Sequence, residues 1–107
     1  MDCVFCKIVH KELPAQIVYE DNKVMAFKDI HPKAFYHILL VPKEHIESVN
    51  SERSEEKIKD LIFAVKHIIS KEGISDYKLV FNVGKKAGQT IEHLHMHCLA
   101  GTNIQMP

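Results

Sequence analysis

The sequence predicts an α+β domain with a mainly antiparallel sheet, and three observations carry that reading. Short apolar runs, alternating or continuous and ended by Pro, Gly, Asn or Asp, recur along the chain. One stretch, Ser54 to about Lys71, keeps a helical period instead. Then His93-Leu94-His95-Met96-His97-Cys98-Leu99 alternates three histidines with apolar residues. On a strand, successive side chains point to opposite faces, so the imidazoles gather on one side and Leu94, Met96 and Cys98 enter a core. A helix would spread the three rings through about 200°. A tag or a solvated histidine patch is the plain alternative, but neither alternates with Leu and Met.

In chain order, Cys3 to His10 reads as a short helical segment ended near Leu13-Pro14. Gln16 to Glu20 alternates, with Ile17 and Tyr19 on one face and Val18 on the other. Asp21-Asn22 is a turn signal, and Lys23 to Lys28 is the returning strand of a hairpin. His37 to Val41 is a continuous apolar run, as in a strand covered on both faces, closed by Pro42. Ser48 to Ser54 supplies helix-start signals, with Glu55 and Glu56 in the first turn. Ile58, Leu61, Ile62, Val65, Ile68 and Ile69 then form one apolar stripe, stopped by Gly73. Lys78 to Val83 is another strand, Gly84 to Gln89 a glycine-bearing loop, and the histidine strand follows.

Length and composition bound the function. A chain of 107 residues is one domain, residues 1–107. Its 14 basic and 14 acidic residues cancel, which argues against nucleic acid or a membrane as a partner recognised through bulk charge. There is no signal-peptide pattern and no run of about 18 apolar residues, so the expectation is a soluble, cytoplasmic protein. Three cysteines are an odd number, and Cys3-x-x-Cys6 suggests metal or redox chemistry before a disulfide framework.

The pattern from His93 to Leu99 resembles the signature of the histidine triad family, H-φ-H-φ-H-φ-φ with φ apolar, at every position. The segments Val4–Ile8, Ala26–Ile30, His37–His45 and Asn82–Thr90 also look like that family's landmarks, so the likeness spans nearly the whole chain. It is nearest to the Hint branch of purine nucleotide-binding proteins. The resemblance implies a five-stranded sheet with one long and one short helix, continued into a partner's sheet across a two-fold homodimer. It further implies purine nucleoside monophosphate binding and hydrolysis of nucleoside 5′-phosphoramidates or related anhydrides.

Such chemistry needs a nucleophile, a proton for the leaving group and donors for the phosphoryl oxygens. The resemblance places the nucleophile on His95, which would form a covalent nucleotidyl-histidine. It makes His97 a phosphate contact that also helps move protons, and His37 the group that orients His95 and holds its tautomer; read alone, His37 is better explained as a core histidine bonded to a carbonyl. Asn82 and Gly88-Gln89-Thr90 would offer donors to phosphate, although by itself that stretch is an ordinary surface loop. Asp29 would accept from the ribose hydroxyls, or simply form a turn before Pro32. Val4, Phe5, Phe27 and Ile30 would line the purine slot, or serve as plain core. Asn82, where the branch that cleaves dinucleoside polyphosphates tends to carry Gln, leans toward the Hint side.

Cys3-x-x-Cys6 admits three readings: a redox motif, two inert cysteines, or half of a tetrahedral zinc site. It opens the chain instead of following a strand, which argues against redox. Some relatives take further zinc ligands from positions matching His45 and His93. Cys3, Cys6, His45 and His93 are all present, which implies a structural zinc and no organic cofactor. Cys98 alternates away from the histidines and is expected in the core. Two departures stand out. His31 occupies a position where relatives commonly have a small residue, and it is expected to be exposed. There is no tryptophan; Met106 falls near the place of the one often found in the Hint branch. A dinucleoside polyphosphate hydrolase and a non-enzymatic nucleotide-binding adaptor are the competing functions.

Overall fold

The computed structural model describes residues 3–101 and residue 104. Met106 therefore lies outside the described residues. The elements are α1 (Val4–Val9), β1 (Ile17–Glu20), β2 (Val24–Lys28), β3 (Tyr36–Pro42), α2 (Ser54–Glu72), β4 (Tyr77–Val80) and β5 (Met96–Ala100), with a single 3-10 turn at Lys85–Ala87. The five strands form one sheet in the order β1-β2-β3-β5-β4, every neighbouring pair antiparallel. The α+β expectation is met.

The two faces of the sheet are covered unequally. Val24, Ala26, Ile38, Leu40, Leu94, Met96 and Cys98 pack with Leu61, Ala64, Val65, Ile68 and Ile69 of α2. Their alternate neighbours Met25, Phe27, Leu39 and Val41 pack with Phe5 and Ile8 of the short α1. This division is the period-two alternation of β2 and β3 made physical, and it explains why β3 is apolar throughout. Each large aliphatic side chain buried here contributes about 1.5–3 kcal/mol. Cys98 is fully buried, as expected, and burial pushes its thiol up to about 11.

Several boundaries move, for identifiable reasons. A bulge between Ile17 and Tyr19 breaks the expected alternation of β1, so Val18 and Tyr19 both pack toward α2 while Ile17 stays exposed. Ser54 does not cap α2. Arg53 holds that position with φ of 67°, and the buried Ser54 hydroxyl donates to the Val49 carbonyl at 2.6 Å. At the far end Gly73, at φ of 71°, closes the helix with its N–H on the Ile69 and Ser70 carbonyls. β4 ends at Val80, which leaves Asn82 beyond the strand.

The most consequential shift is at the histidines. β5 begins at Met96, so of the three only His97 lies on the strand itself. The β3–β5 ladder ends at Leu40↔Met96. Carried further, it would set Leu94 against Pro42, which has no N–H to donate. Leu94 instead gives its N–H to Ile46 at 2.8 Å. The alternation survives this detour, since Leu94 still joins the core with Met96 and Cys98.

Candidate functional site

The face of the sheet opposite α2 carries two adjoining clusters of polar side chains. The first joins three segments distant in sequence. Cys3, at the N-cap of α1, and Cys6, one turn on, come from the start of the chain. His45 comes from the loop after β3, and His93 from the approach to β5. His93 is fully buried. Its Nδ1 lies 3.3 Å from Cys3 Sγ, 3.7 Å from Cys6 Sγ and 3.1 Å from His45 Nδ1. Cys6 Sγ lies 3.4 Å from His45 Nδ1. A tetrahedral zinc with bonds of about 2.0 Å to nitrogen and about 2.3 Å to sulfur spaces its ligand atoms by about 3.3–3.8 Å. Four of the six pairs therefore already stand at nearly that spacing, and all four ligand atoms lie within 4.8 Å of one another.

The tautomer of His93 fits the same purpose. Its Nε2 lies 2.9 Å from the Pro42 carbonyl, which can only accept, so Nε2 carries the hydrogen. Nδ1 is left as a lone pair facing two sulfurs and a second imidazole. A ring nitrogen pinned by a carbonyl is the usual outer support of a metal-binding histidine. All four residues that the family resemblance nominates for metal are thus brought together, and their donor set suits zinc.

His93 also serves the second cluster, through its main chain. Its carbonyl accepts from His95 Nδ1–H at 2.7 Å, which leaves His95 Nε2 as a bare lone pair. His95 is buried, and its ring centroid is 5.2 Å from that of His97. Phe5, carried between the two cysteines on α1, sets its ring edge-on against both His93, at 5.9 Å, and His95, at 5.1 Å.

His37 is the second residue of β3, buried, with Nε2 2.9 Å from His97 Nδ1 and 3.4 Å from Asp29 Oδ2. Its Nδ1 accepts from the main-chain N–H of Lys33 at 2.9 Å. This corrects one expectation: His37 braces His97, not His95, whose tautomer is held by the His93 carbonyl instead. β3 and β5 are antiparallel neighbours with His37 opposite Leu99 and Leu39 opposite His97, so His37 and His97 stand on one face within reach of each other. Burial pushes the imidazoles of His37 and His97 down, the latter to about 4, with His95 and His37 adding to the effect at His97 and Asp29 opposing it. Both shifts favour the neutral ring.

Asp29 follows β2. Its Oδ1 accepts from the His31 N–H at 2.8 Å, so it forms the turn and faces His37 at once. His31 itself is exposed, as expected. Of the four apolar candidates, Phe5 and Phe27 are buried and meet edge-on at 5.5 Å, whereas Val4 and Ile30 are exposed, Ile30 by 84%.

The 84–90 loop corrects a second expectation. The resemblance makes Gln89 a donor to phosphate, but it is buried and braces the loop. Its side-chain amide donates to the Glu47 and Ile91 carbonyls and accepts from Gly84 N–H. Its own N–H goes to the Gly84 carbonyl, and that of Gly88 to the Lys85 carbonyl. Asn82 Nδ2 donates to the Ala87 carbonyl, and Gly88, at φ of 97°, sits so close that a Cβ would lie 3.4 Å from that nitrogen. Thr90 is exposed. The brace from Gln89 to Glu47 joins loops 42 residues apart, and no local pattern marks it.

Residues 2–106 match the family model described as "Scavenger mRNA decapping enzyme C-term binding". Protein HitA of Neisseria gonorrhoeae is 42% identical over 106 residues, covering 96% of this chain and 98% of that one. The 14 kDa zinc-binding protein of Zea mays is 38% identical over 109 residues, covering 97% and 85%. Among solved structures, the HIT family hydrolase from Clostridium thermocellum superposes with a TM-score of 0.91 at 43% identity, covering 99% of this chain and 96% of that one. Sequence, fold and clustered histidines agree: the chain belongs to the histidine triad (HIT) family.

Proposed function

We propose that this protein is a nucleotide-binding hydrolase that cleaves purine nucleoside 5′-phosphoramidates, or related adenylyl conjugates, to the nucleoside monophosphate. The observation that carries the reading is the 2.7 Å bond from His95 to the His93 carbonyl, which leaves a lone pair on Nε2 beside His97. The similar protein from Clostridium thermocellum, described as a HIT family hydrolase, supports hydrolysis as the reaction class.

In this reading His95 Nε2 forms a bond to phosphorus as the phosphorus–nitrogen bond breaks. The amine leaves with the bonding pair and takes a proton from water. The nucleotidyl-histidine ring is then cationic, and its Nδ1–H remains on the His93 carbonyl. Water attacks phosphorus and gives a proton to the hydroxide left by the first step, the ring recovers its electron pair, and the monophosphate departs. His97 offers a donor to the phosphoryl oxygens. The second N–H of Asn82 and the Thr90 hydroxyl add donors at the same end, where Gly88 admits close approach. Asp29 retains lone pairs for ribose hydroxyls, and Val4, Phe5, Phe27 and Ile30 supply apolar surface for the base.

Zinc held by Cys3, Cys6, His45 and His93 would cross-link α1 to the loops around the sheet, a structural role. The zinc-binding name of the Zea mays relative supports that choice of metal. A two-fold homodimer and a cytoplasmic location complete the proposal; no helix among the described residues is long and apolar enough to cross a membrane.

A fluorogenic adenosine phosphoramidate assay tests the reading. Turnover that vanishes in His95→Ala supports it. Nucleotide binding without turnover points to an adaptor, and preference for diadenosine tetraphosphate points to a dinucleoside polyphosphate hydrolase.

A further inference from the structure

We propose that the main-chain N–H of Lys33 is a positioning group that, through His37, commits His97 to being a permanent Nε2–H donor. The argument follows one hydrogen at a time. An amide N–H can only donate, and it points at His37 Nδ1 from 2.9 Å, so that nitrogen carries a lone pair. The neutral ring then keeps its hydrogen on Nε2. That hydrogen faces His97 Nδ1 at 2.9 Å, with Asp29 Oδ2 farther off at 3.4 Å. His97 Nδ1 must accept, so its own hydrogen sits on Nε2, the nitrogen turned away from His37.

The consequence is directional. A proton arriving at His97 Nδ1 would meet the His37 Nε2–H head-on, and a proton leaving His97 Nε2 would create an imidazolate. The chain is thus built to present a hydrogen-bond donor and not to shuttle protons. Its groups agree with this: burial disfavours a charge on His37 and His97, and His95, His37 and Lys33 oppose one on His97, with Asp29 alone favouring it. The loop that carries the amide is itself tied down. Asp29 Oδ1 accepts from His31 N–H, Asp29 N–H donates to the His37 carbonyl, and Lys33 Nζ donates to the His31 carbonyl. In catalytic terms the inference rests on the reading of His97 as a phosphoryl contact; the tautomers themselves do not.

The test uses the intact protein, labelled with ¹⁵N-histidine, and long-range ¹H–¹⁵N spectra at pH 7. Protonated Nε2 and bare Nδ1 on both His37 and His97 is the expected result. An Nδ1–H form, or an imidazolium, on either ring overturns the inference. Lys33→Ala keeps the amide and is expected to keep that ring pattern. Lys33→Pro removes the amide; mixed tautomers at His37 and a kcat about tenfold lower, with little change in KM, are expected. A folded Lys33→Pro with unchanged tautomers overturns the inference, and if that variant fails to fold the wild-type and Lys33→Ala spectra decide. Expected tautomers in a protein that turns over no phosphoramidate would support the assignment while sinking the hydrolase reading.

Discussion

The Cys3/Cys6/His45/His93 cluster and the Asp29/His37/His97 cluster are alike at first sight. Each brings metal-capable atoms within 4.8 Å of one another on the same side of the sheet. They differ in what stands behind the central histidine. Behind His93 is a carbonyl, which takes its hydrogen and leaves a lone pair facing the cluster. Behind His37 is an amide N–H, which takes its lone pair and leaves a hydrogen facing the cluster. The first arrangement suits a cation, whereas the second repels one and offers a hydrogen bond. Residue types alone would not separate them, because the distinction is made by backbone atoms of Pro42 and Lys33.

Removing the proposed nucleophile gives the largest expected effect. His95→Ala is predicted to lower phosphoramidate turnover by about 10³-fold or more while leaving metal content unchanged, measured as zinc per chain beside the kinetics. Loss of metal together with activity would show that the clusters are not separable.

The converse change acts on stability. Cys6→Ser is expected to abolish tight metal binding and to destabilise the fold by several kcal/mol, read as a large drop in Tm. Chelation of the wild-type protein should approach the same Tm. A chelator-resistant Tm together with near-zero zinc in purified protein would remove the metal reading of the first cluster.

Next in size is the proposed donor. His97→Ala is expected to lower kcat by about 10²-fold, with metal content retained. A variant that stays fully active would show that His97 contacts nothing that matters in the reaction.

Acid discriminates more gently. His97 is held down at about 4 and His37 is pushed the same way, against about 6.5 in the unfolded chain. Below pH 6.5 the unfolded chain takes up protons that the folded one refuses. Stability is therefore lost as pH falls from about 6.5 toward about 4, by at most about 1.4 kcal/mol per pH unit for each such group. Denaturant titrations across that range check it, and His97→Gln should flatten the slope.

The smallest effect belongs to the residue between the clusters. Phe5→Leu keeps an apolar side chain of similar bulk but removes the edge contacts to His93 and His95. A cost of about 1–1.5 kcal/mol and a severalfold loss of kcat are expected. An effect on kcat with unchanged Tm would show that the ring orients His95 more than it fills space.

Much of the fold was legible beforehand. α2 was visible because its apolar spacing has one explanation, and β2 and β3 because alternation and continuous apolarity report coverage on one or both faces. The start of β5 was not, because Pro42 lies 51 residues from His93 and acts through a missing N–H. The partner of His37 is hidden for a related reason: register, not sequence distance, sets it opposite Leu99, diagonal to His97 on the same face. Gln89 looked like an available donor because a side chain's partners are invisible in sequence when they are carbonyls of another loop.

By itself the sequence determined that three histidines would share a side, that Cys3 and Cys6 could form half of a metal site, and that one long helix would cover an antiparallel sheet. These follow from periodicity and side-chain chemistry, which are local. Only the tertiary structure decided what each histidine can do. An imidazole has two nitrogens and, when neutral, one hydrogen, and the main-chain atom facing one nitrogen fixes the other. Those main-chain atoms arrive from Pro42, Lys33 and His93 through the folding of the chain, so the division of labour among the histidines is a property of the fold.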